Sequence, residues 1–170
     1  MRLRGVLPGS WSGYAAAGCA FVFAVPSFYW GFGGEFGADT IGRWAVDLSW
    51  RDDPPAMAAV LLTGCLKVLG GLLALALVRP AWPRPPRWMM LTAGYGAAAL
   101  LVSYGGIYEL LQALVAVRAI EVPADFDWYA FWWHLYLWSP WFLVWGILLG
   151  LAALHYQSST AGRGHASATA

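Results

Sequence analysis

Four long apolar runs alternate with shorter polar connections along this chain. The runs cover about 13–32, 57–78, 88–117 and 140–156. A helix rises about 1.5 Å per residue, so runs of this length cross most or all of a hydrocarbon core roughly 30 Å thick. The pattern therefore predicts an all-α, polytopic membrane protein built as a four-helix transmembrane bundle.

Proline and glycine mark where these helices bend or stop. Pro26 lacks a backbone donor and predicts a kink in the first span, and the glycine-rich segment 31–37 predicts its end. The third run is longer than one crossing requires, and Gly105-Gly106 offers a place for a break. Two interpretations stay open: one tilted, protruding helix, or a break after which 107–117 lies on the outer surface.

Two connections carry amphipathic or aromatic segments. Within 38–55, the spacing of Ile41, Trp44 and Leu48 predicts a short helix on the membrane interface. Segment 127–138 contains four Trp, two Tyr, a Phe and a His, a density typical of the headgroup boundary. The sequence predicts a second interfacial helix there, followed by a fourth span that begins at Ser139-Pro140.

Charge sorts the connections into two groups. Six arginines and no acids lie before the first span, between the second and third spans, and in the tail; the other two connections hold eight of the nine acids. Because short cytoplasmic loops are enriched in Lys and Arg, this asymmetry predicts that both termini lie on the cytoplasmic side of the cell membrane. The acidic connections then lie on the outer side.

Composition narrows the class of protein. With 60% hydrophobic and 11% charged residues and twelve Trp, the chain is too apolar for an ordinary soluble domain. No basic run predicts nucleic-acid binding and no residue spacing predicts a metal or another cofactor, so the predicted partner is the lipid bilayer. Residues 1–156 are predicted to form a single four-span membrane domain, and the small, polar residues 157–170 a disordered cytoplasmic tail.

Two aromatic motifs resemble a known family. The first, Ser27-Phe-Tyr-Trp-Gly-Phe-Gly-Gly-Glu-Phe-Gly37, ends the first span, and the second, Trp138-Ser-Pro-Trp-Phe-Leu-Val-Trp-Gly146, opens the fourth. They resemble the bacterial domain-of-unknown-function family numbered 3995, small four-span membrane proteins with a Tyr-Trp-Ala-Leu-Gly-Gly-like run after the first span. This chain departs from that run at Gly31-Phe32. The resemblance implies the topology, and it implies no activity or site residues.

Lys67, near the middle of the second run, is the sharpest polar feature of the sequence. An ionisable group at that depth usually faces protein or water and has a partner, so one interpretation is a binding or proton-handling site. In the alternative, Lys67 extends along its helix towards the outer side and is satisfied by Tyr104, Ser103 or carbonyls at 31–34. Both interpretations stay open.

The candidate polar pocket combines residues predicted near the outer ends of the spans with this lysine: Lys67, Tyr104, Tyr108, Glu109, Glu35 and His134. Glu109 is the natural counter-charge, but counting residues places it about 15 Å above Lys67, so surface exposure is the prediction for Glu109. His134 is predicted to be a hydrogen-bonded residue at the outer interface.

Three functions stay open. The leading hypothesis is a non-enzymatic integral membrane protein with an outward-facing pocket around Lys67 for a small ligand or ion. A membrane-embedded enzyme acting on a lipid or isoprenoid would use Glu109, His134 or Lys67 as acid–base groups, which must then converge on one cavity. An assembly or stabilising subunit would use Gly146-x-x-x-Gly150 for helix packing against a second copy or another membrane partner.

Overall fold

A computed structural model describes residues 10–47, 53–79 and 85–166 as helices joined by turns. The elements, in chain order, are α1 (Trp11–Gly31), a 3-10 helix (Ala38–Ile41), α2 (Arg43–Asp47), α3 (Pro54–Val78), α4 (Arg87–Ala116), α5 (Trp128–Trp133), a π-helical turn (His134–Trp138) and α6 (Ser139–Ala166). Four segments are long and apolar enough to cross a membrane: α1, α3, α4 and the continuous stretch Trp128–Thr160. The predicted all-α, four-span architecture is confirmed.

The four spans form two antiparallel hairpins, α1 with α3 and α4 with α6. On one side of the bundle α1 packs on α6, and we call this contact the α1–α6 seam. On the other side α3 and α4 contact each other less, and the groove between them is the α3–α4 cleft. The end of the bundle that carries the connections 32–53 and 117–127 is called the loop end, and the opposite end the link end.

Glycine allows the helices of each hairpin to approach closely. A Cβ atom at Gly31 would lie 2.5 Å from Leu61 Cδ2, which is shorter than van der Waals contact between two carbon atoms. At Gly105 the neighbour is backbone, because a Cβ there would lie 2.7 Å from the amide N of Leu143. Close packing of small residues is a main source of helix association in lipid, where exclusion from water drives little.

α4 runs without a break through Gly105-Gly106, so the interpretation that places 107–117 along the outer surface is wrong. Gly105 is a point of close approach between α4 and α6, which gives a packing reason for its missing side chain. The helix has 30 residues. At about 45 Å it must tilt or extend beyond the hydrocarbon core.

The aromatic segment predicted as a separate interfacial helix is continuous with the fourth span, which corrects that prediction. α5 passes into α6 through the π-helical turn, where the Ser139 N–H donates to the His134 carbonyl, five residues earlier. Pro140 follows directly and has no N–H, so an α-helical bond is missing at this point in any case. A wider turn beside such a proline keeps the helix continuous.

The first long connection folds differently from its prediction. The 3-10 helix and the five-residue α2 replace the single short helix expected around 41–50, and Leu48 lies outside the described residues. α3 then begins with Asp53, whose side chain accepts a 3.2 Å hydrogen bond from the Ala56 N–H. Two prolines follow in the first turn, where a missing donor costs nothing.

α6 continues through Ala166, whereas the sequence predicts disorder from residue 157. Its added turns are tied to α4, since Arg87 Nε donates a 2.8 Å hydrogen bond to Thr160 Oγ1 and the Tyr95 hydroxyl donates to Gln157 Oε1. Polar contacts therefore continue the α4–α6 packing past the apolar run. Residues 167–170 lie outside the described part of the chain, as do Arg2, Arg4 and Arg84, which contribute to the predicted orientation.

Candidate functional site

Lys67 projects from α3 towards α1. Its Nζ donates a 2.7 Å hydrogen bond to Ser27 Oγ and lies 3.9 Å from the centroid of the Phe23 ring. Ser27 is 2% exposed and Phe23 6% exposed, so these contacts lie inside the bundle. A cation is attracted by the face of an aromatic ring, and a hydroxyl can accept one of the three ammonium hydrogens.

Within the described residues the charge of Lys67 has no carboxylate partner. The ion pair between Arg43 and Asp127 lies at the loop end, and no Asp or Glu oxygen among these residues pairs with Lys67 Nζ. One hydroxyl and one ring face leave ammonium N–H groups for a further acceptor. The part of the chain that the structure describes therefore satisfies Lys67 only in part.

A cavity of about 230 Å³ lies against Lys67, and we call it the Lys67 pocket. The side chains with polar atoms in its wall are Ser27, Lys67, Thr63, Tyr104, His134, Trp30 and Trp138. Several of these polar atoms already have partners besides the Lys67–Ser27 contact. Trp138 Nε1 donates to Thr40 O at 3.2 Å, Trp30 Nε1 donates to Phe36 O at 3.0 Å, Thr63 Oγ1 donates to Val60 O at 2.7 Å, and His134 Nε2 lies 3.4 Å from Ile41 O. Among the described residues, the donor capacity left in the wall comes chiefly from the Lys67 ammonium and the Tyr104 hydroxyl.

The α3–α4 cleft is larger, at about 550 Å³, and α6 forms its floor. Thr63, Lys67 and Tyr104 line it towards the loop end, whereas its other lining residues are apolar or glycine. Leu66 and Leu100 stand at its edges and are 56% and 69% exposed. Since α3 and α4 are membrane spans, these exposed leucines face lipid.

A third cavity, of about 760 Å³, lies at the loop end and is called the outer cavity. Ile41 and His134 line both the outer cavity and the Lys67 pocket, and His134 Nε2 lies 3.4 Å from the Ile41 carbonyl oxygen. Thr63, Lys67 and Tyr104 line both the Lys67 pocket and the cleft. The three cavities therefore adjoin in series, with His134 at the first boundary and Lys67 at the second.

Three of the six predicted pocket residues, Lys67, Tyr104 and His134, line the Lys67 pocket. Tyr108 lies next to them: its ring centroid is 4.7 Å from that of Tyr104, and it lines the outer cavity. Glu35 is exposed in the connection that follows α1 and lines none of the three cavities.

Glu109 lies on another face of α4. At about 100° per residue it is roughly 140° round the helix from Tyr104, so the two side chains leave α4 in different directions. Glu109 is half-buried rather than exposed, and its Oε2 atom is buried with no hydrogen-bond partner among the described residues. The predicted counter-charge for Lys67 is thus not placed beside it.

The glycines of the Gly146-x-x-x-Gly150 spacing face α4 of the same chain. A Cβ at Gly146 would lie 2.8 Å from the amide N of Val102, and one at Gly150 would lie 3.6 Å from Ala98 Cβ. This face of α6 is therefore used within the α4–α6 hairpin.

The sequence analysis did not identify three residues that contact Lys67 or line the cleft. Ser27 and Phe23 hold the Lys67 ammonium, and Trp145 lines the cleft with its Nε1 atom buried and without a partner in the described part of the chain. Ser27 directly follows Pro26 inside the first aromatic motif, and a polar residue next to a helix kink was a usable signal. Nothing in the sequence marked Phe23 among eight phenylalanines.

Asp127 organises the loop end. Its carboxylate accepts hydrogen bonds from the Ala130 N–H at 3.1 Å and the Arg43 N–H at 3.0 Å, and Arg43 Nε lies 3.7 Å away. The Ala130 N–H is the largest cause that holds the pKa of Asp127 below its usual value, and Arg43 adds to it. The contact joins the first long connection to α5 as a charge-assisted N-cap.

No three His, Cys, Asp or Glu side chains come together as a metal-binding group within 10–47, 53–79 and 85–166. What the arrangement offers chemically is a set of hydrogen-bond donors and one cation next to an apolar groove. Such a site can hold an acceptor or an anion.

Comparison with known proteins identifies the family. The sequence profile of the family described as "Protein of unknown function (DUF3995)" matches residues 20–149. The chain belongs to this family. The resemblance drawn from the two aromatic motifs is thereby confirmed, and the matched region contains Ser27, Lys67 and the walls of all three cavities. No curated protein and no solved structure matches the chain.

Proposed function

We propose that this multi-pass membrane protein binds a small ligand with hydrogen-bond acceptor atoms in the Lys67 pocket and performs no chemistry on it. The observation that carries the proposal is the Lys67 ammonium, which faces a cavity while the described residues supply a serine hydroxyl and no carboxylate. An anion or a carbonyl group in the pocket would complete its coordination.

The cost of placing Lys67 in a membrane span and the free energy that its contacts return indicate that its ammonium lacks a counter-charge among the described residues. A lysine near the middle of a span costs about 2.5–3.5 kcal/mol on insertion scales. A hydrogen bond to a charged group returns about 1.5–3 kcal/mol, and the contact with Phe23 adds to this. These terms offset most of the cost but leave a positive charge without a counter-charge, and an acceptor-bearing ligand would therefore gain a strong contact.

We also propose that the loop end faces outwards and that both termini lie in the cytoplasm of the cell whose membrane holds the protein. The support is the distribution of charge, with arginines at the link end and acids in the two long connections. In this orientation the outer cavity and the Lys67 pocket lie on the outer side, and the pocket is outward-facing.

An enzyme is less well supported, because the candidate acid–base groups do not converge. His134 and Lys67 line one pocket, but Glu109 leaves α4 on another face. General acid–base catalysis requires both groups within hydrogen-bond reach of the same substrate. A subunit that dimerises through Gly146 and Gly150 is also less well supported, since α4 covers that face.

Cysteine accessibility tests the pocket. The two native cysteines, Cys19 and Cys65, are free thiols and would be replaced by serine, after which Lys67→Cys is introduced. Intact cells are treated with a membrane-impermeant, negatively charged thiosulfonate, and labelling is read on the purified full chain. We expect Lys67→Cys to react and Leu69→Cys, on the lipid-facing side of the same helix and 59% exposed, not to react.

A third variant makes a negative result decisive. Glu35→Cys lies in the exposed connection after α1 and reports whether the reagent reaches the loop end. An unreactive Lys67→Cys in cells where Glu35→Cys reacts would contradict the outward-facing pocket. Reporter domains fused to each terminus test the orientation separately, and external signals from both fusions would show that it is inverted.

A further inference from the structure

The Lys67 pocket adjoins the α3–α4 cleft, because Lys67 lines both cavities. We infer that the ligand is an anionic amphiphile with a single chain, such as a long-chain carboxylate, whose acid group contacts Lys67 and whose chain lies in the cleft. The inference rests on the proposed function and adds the chemical class of the ligand and its route, which is lateral access from the bilayer.

Polarity changes along the cleft in the way that such a molecule requires. Thr63, Lys67 and Tyr104 lie at one end, and from there the walls consist of leucine, alanine, glycine and aromatic rings. α3 runs from Thr63 to Gly70 along the groove while α4 runs from Ala97 to Tyr104 in the opposite direction. The polar side chains of the two helices therefore meet at the same end, which is the loop end.

A second unsatisfied donor lies in the cleft wall. Trp145 is 4% exposed, and its Nε1 atom has no hydrogen-bond partner among the described residues. The indole edge next to that atom faces α3, since a Cβ at Gly70 would lie 2.6 Å from Trp145 Cζ2. A buried N–H without an acceptor costs about 1–3 kcal/mol, but Nε1 is itself covered, so Lys67 is the group that an acceptor in the cleft reaches.

The sign of the charge follows from these groups. The Lys67 ammonium can only donate, and no carboxylate lines the cleft. A cationic head group would meet the Lys67 ammonium and be repelled, whereas a carboxylate would form a charge-assisted hydrogen bond with it. The site therefore selects for acceptor atoms and negative charge.

The size of the cleft favours one chain. Its volume of about 550 Å³ falls in the range of ligand sites. The seven-residue steps from Thr63 to Gly70 and from Ala97 to Tyr104 each span roughly 10 Å, so the cleft holds the part of the chain next to the head group and the remainder extends into the surrounding lipid. Small residues at Gly70 and Ala97 provide the width, while the exposed Leu66 and Leu100 leave the long side open to lipid. A molecule can thus move into the cleft from the bilayer.

Photolabelling of the purified full chain in zwitterionic nanodiscs tests the inference. Three probes share a sixteen-carbon chain with a diazirine and differ in the head group: a carboxylate, an alcohol and a trimethylammonium. Labelling is measured by intact-mass spectrometry and mapped on peptides. We expect the carboxylate to label several-fold more than the alcohol, the cation to label least, and the labels to map to α3 and α4 around Leu66 and Leu100.

Two sets of substitutions, one at Lys67 and one along the cleft, separate the head-group contact from the chain contact. Lys67→Met should abolish the preference for the carboxylate over the alcohol, and Lys67→Arg should keep it. Ala97→Phe, which fills the cleft, should reduce labelling by all three probes several-fold. Ala99→Phe, a matched control on an exposed position that does not line the cleft, should leave labelling unchanged. Leu100→Trp replaces Ala97→Phe if the latter does not elute as a monodisperse protein.

The outcomes distinguish the two proposals. The proposal that the ligand is an anionic amphiphile would be overturned by equal labelling with the carboxylate and cationic probes. Equal effects of Ala97→Phe and Ala99→Phe would overturn it as well. If Lys67→Cys reacts from outside but the cleft variants have no effect, the pocket stands and its ligand is a small soluble acceptor. If the cleft variants act as expected but Lys67→Cys is unreactive, the lateral site stands and the outward-facing pocket fails.

Discussion

The α1–α6 seam and the α3–α4 cleft occupy equivalent positions in the bundle and are packed in opposite ways. Each lies where a helix of one hairpin meets a helix of the other hairpin. In the seam, the Phe23 ring lies 4.7 to 5.9 Å from the rings of Trp138, Trp141 and Phe142. In the cleft, leucine, alanine and glycine from α3 and α4 leave about 550 Å³ unfilled.

The difference shows how one helix can close one side of a bundle and leave the other open. The large rings of α6 and the turn before it favour the seam, since Trp138, Trp141 and Phe142 all contact Phe23 of α1 while Phe142 and Trp145 line the cleft. Lys67 lies at the border: it lines the cleft, yet its ammonium reaches Ser27 and Phe23 of α1. The Lys67 ammonium is thus held by α1 on the seam side of the bundle, while the Lys67 side chain also lines the cleft.

Truncating the seam should have the largest effect on stability. Phe23→Ala removes a ring that is 6% exposed, and we expect it to lower the free energy of unfolding by about 3 kcal/mol. Leu100→Ala in the cleft removes a side chain that is 69% exposed, so the expected loss is below about 0.5 kcal/mol. SDS-induced unfolding in mixed micelles measures both, and similar losses would mean that seam and cleft are packed alike.

Removing the anchor of Lys67 should have the next largest effect. Ser27→Ala leaves the ammonium without its hydroxyl acceptor, and a hydrogen bond to a charged group is worth about 1.5–3 kcal/mol. Ser103→Ala, at an exposed position of α4, is the control and should be neutral. Adding Lys67→Met to Ser27→Ala should recover most of the lost stability, because the cation is gone. A double variant as unstable as Ser27→Ala would show that Ser27 acts through packing alone.

Two tryptophans one turn apart on α6 allow the seam and the cleft to be compared directly. Trp141 Nε1 donates a 3.1 Å hydrogen bond to the Cys19 carbonyl in the seam, whereas Trp145 Nε1 has no partner within the described residues. Trp141→Phe should therefore cost about 1 kcal/mol, while Trp145→Phe should be neutral or stabilising. The same unfolding assay measures both variants, and a larger loss for Trp145→Phe would mean that its N–H is satisfied in the folded protein.

The sequence predicts the spans well because each span is a local property. Hydrophobic length identifies four helices without any knowledge of packing, whereas the orientation drawn from the arginine asymmetry stays a prediction. The continuity of α5 with α6 was missed because Pro140 is equally consistent with a helix start and with a π-helical turn. The helical extension past residue 157 was missed because hydrogen bonds to α4 support it, and these depend on tertiary contacts.

The site was predicted less well than the spans. Lys67 is conspicuous as a lone cation in an apolar run, but its partners depend on the register of α1 against α3, which the sequence does not specify. The sequence named Glu109 as the natural counter-charge and predicted that it is exposed, whereas it is half-buried, since its direction depends on how α4 is rotated against α6. Rotation and register are set by small residues such as Gly31 and Gly105, whose partners lie in distant segments.

The smallest expected effect is at the loop end, where Asp127 extends the seam by joining the first connection to α5. Because its pKa is lowered in the folded protein, its stabilising contribution is fully present above about pH 4 and is lost as the pH falls through the folded pKa. Asp127→Asn should lower stability by about 1 kcal/mol or less at pH 7, and the difference from the unsubstituted protein should shrink towards pH 3.

Asp125→Asn is the matched control for this effect, since Arg43 Nη2 contacts the carbonyl oxygen of Asp125 and that carbonyl is unchanged. Its unfolding free energy should follow that of the unsubstituted protein across the same pH range. If the stability difference for Asp127→Asn stays constant from pH 7 to pH 3, the carboxylate charge contributes nothing at this contact. The seam would then be held by its aromatic packing and neutral hydrogen bonds, and its contrast with the cleft would be one of packing alone.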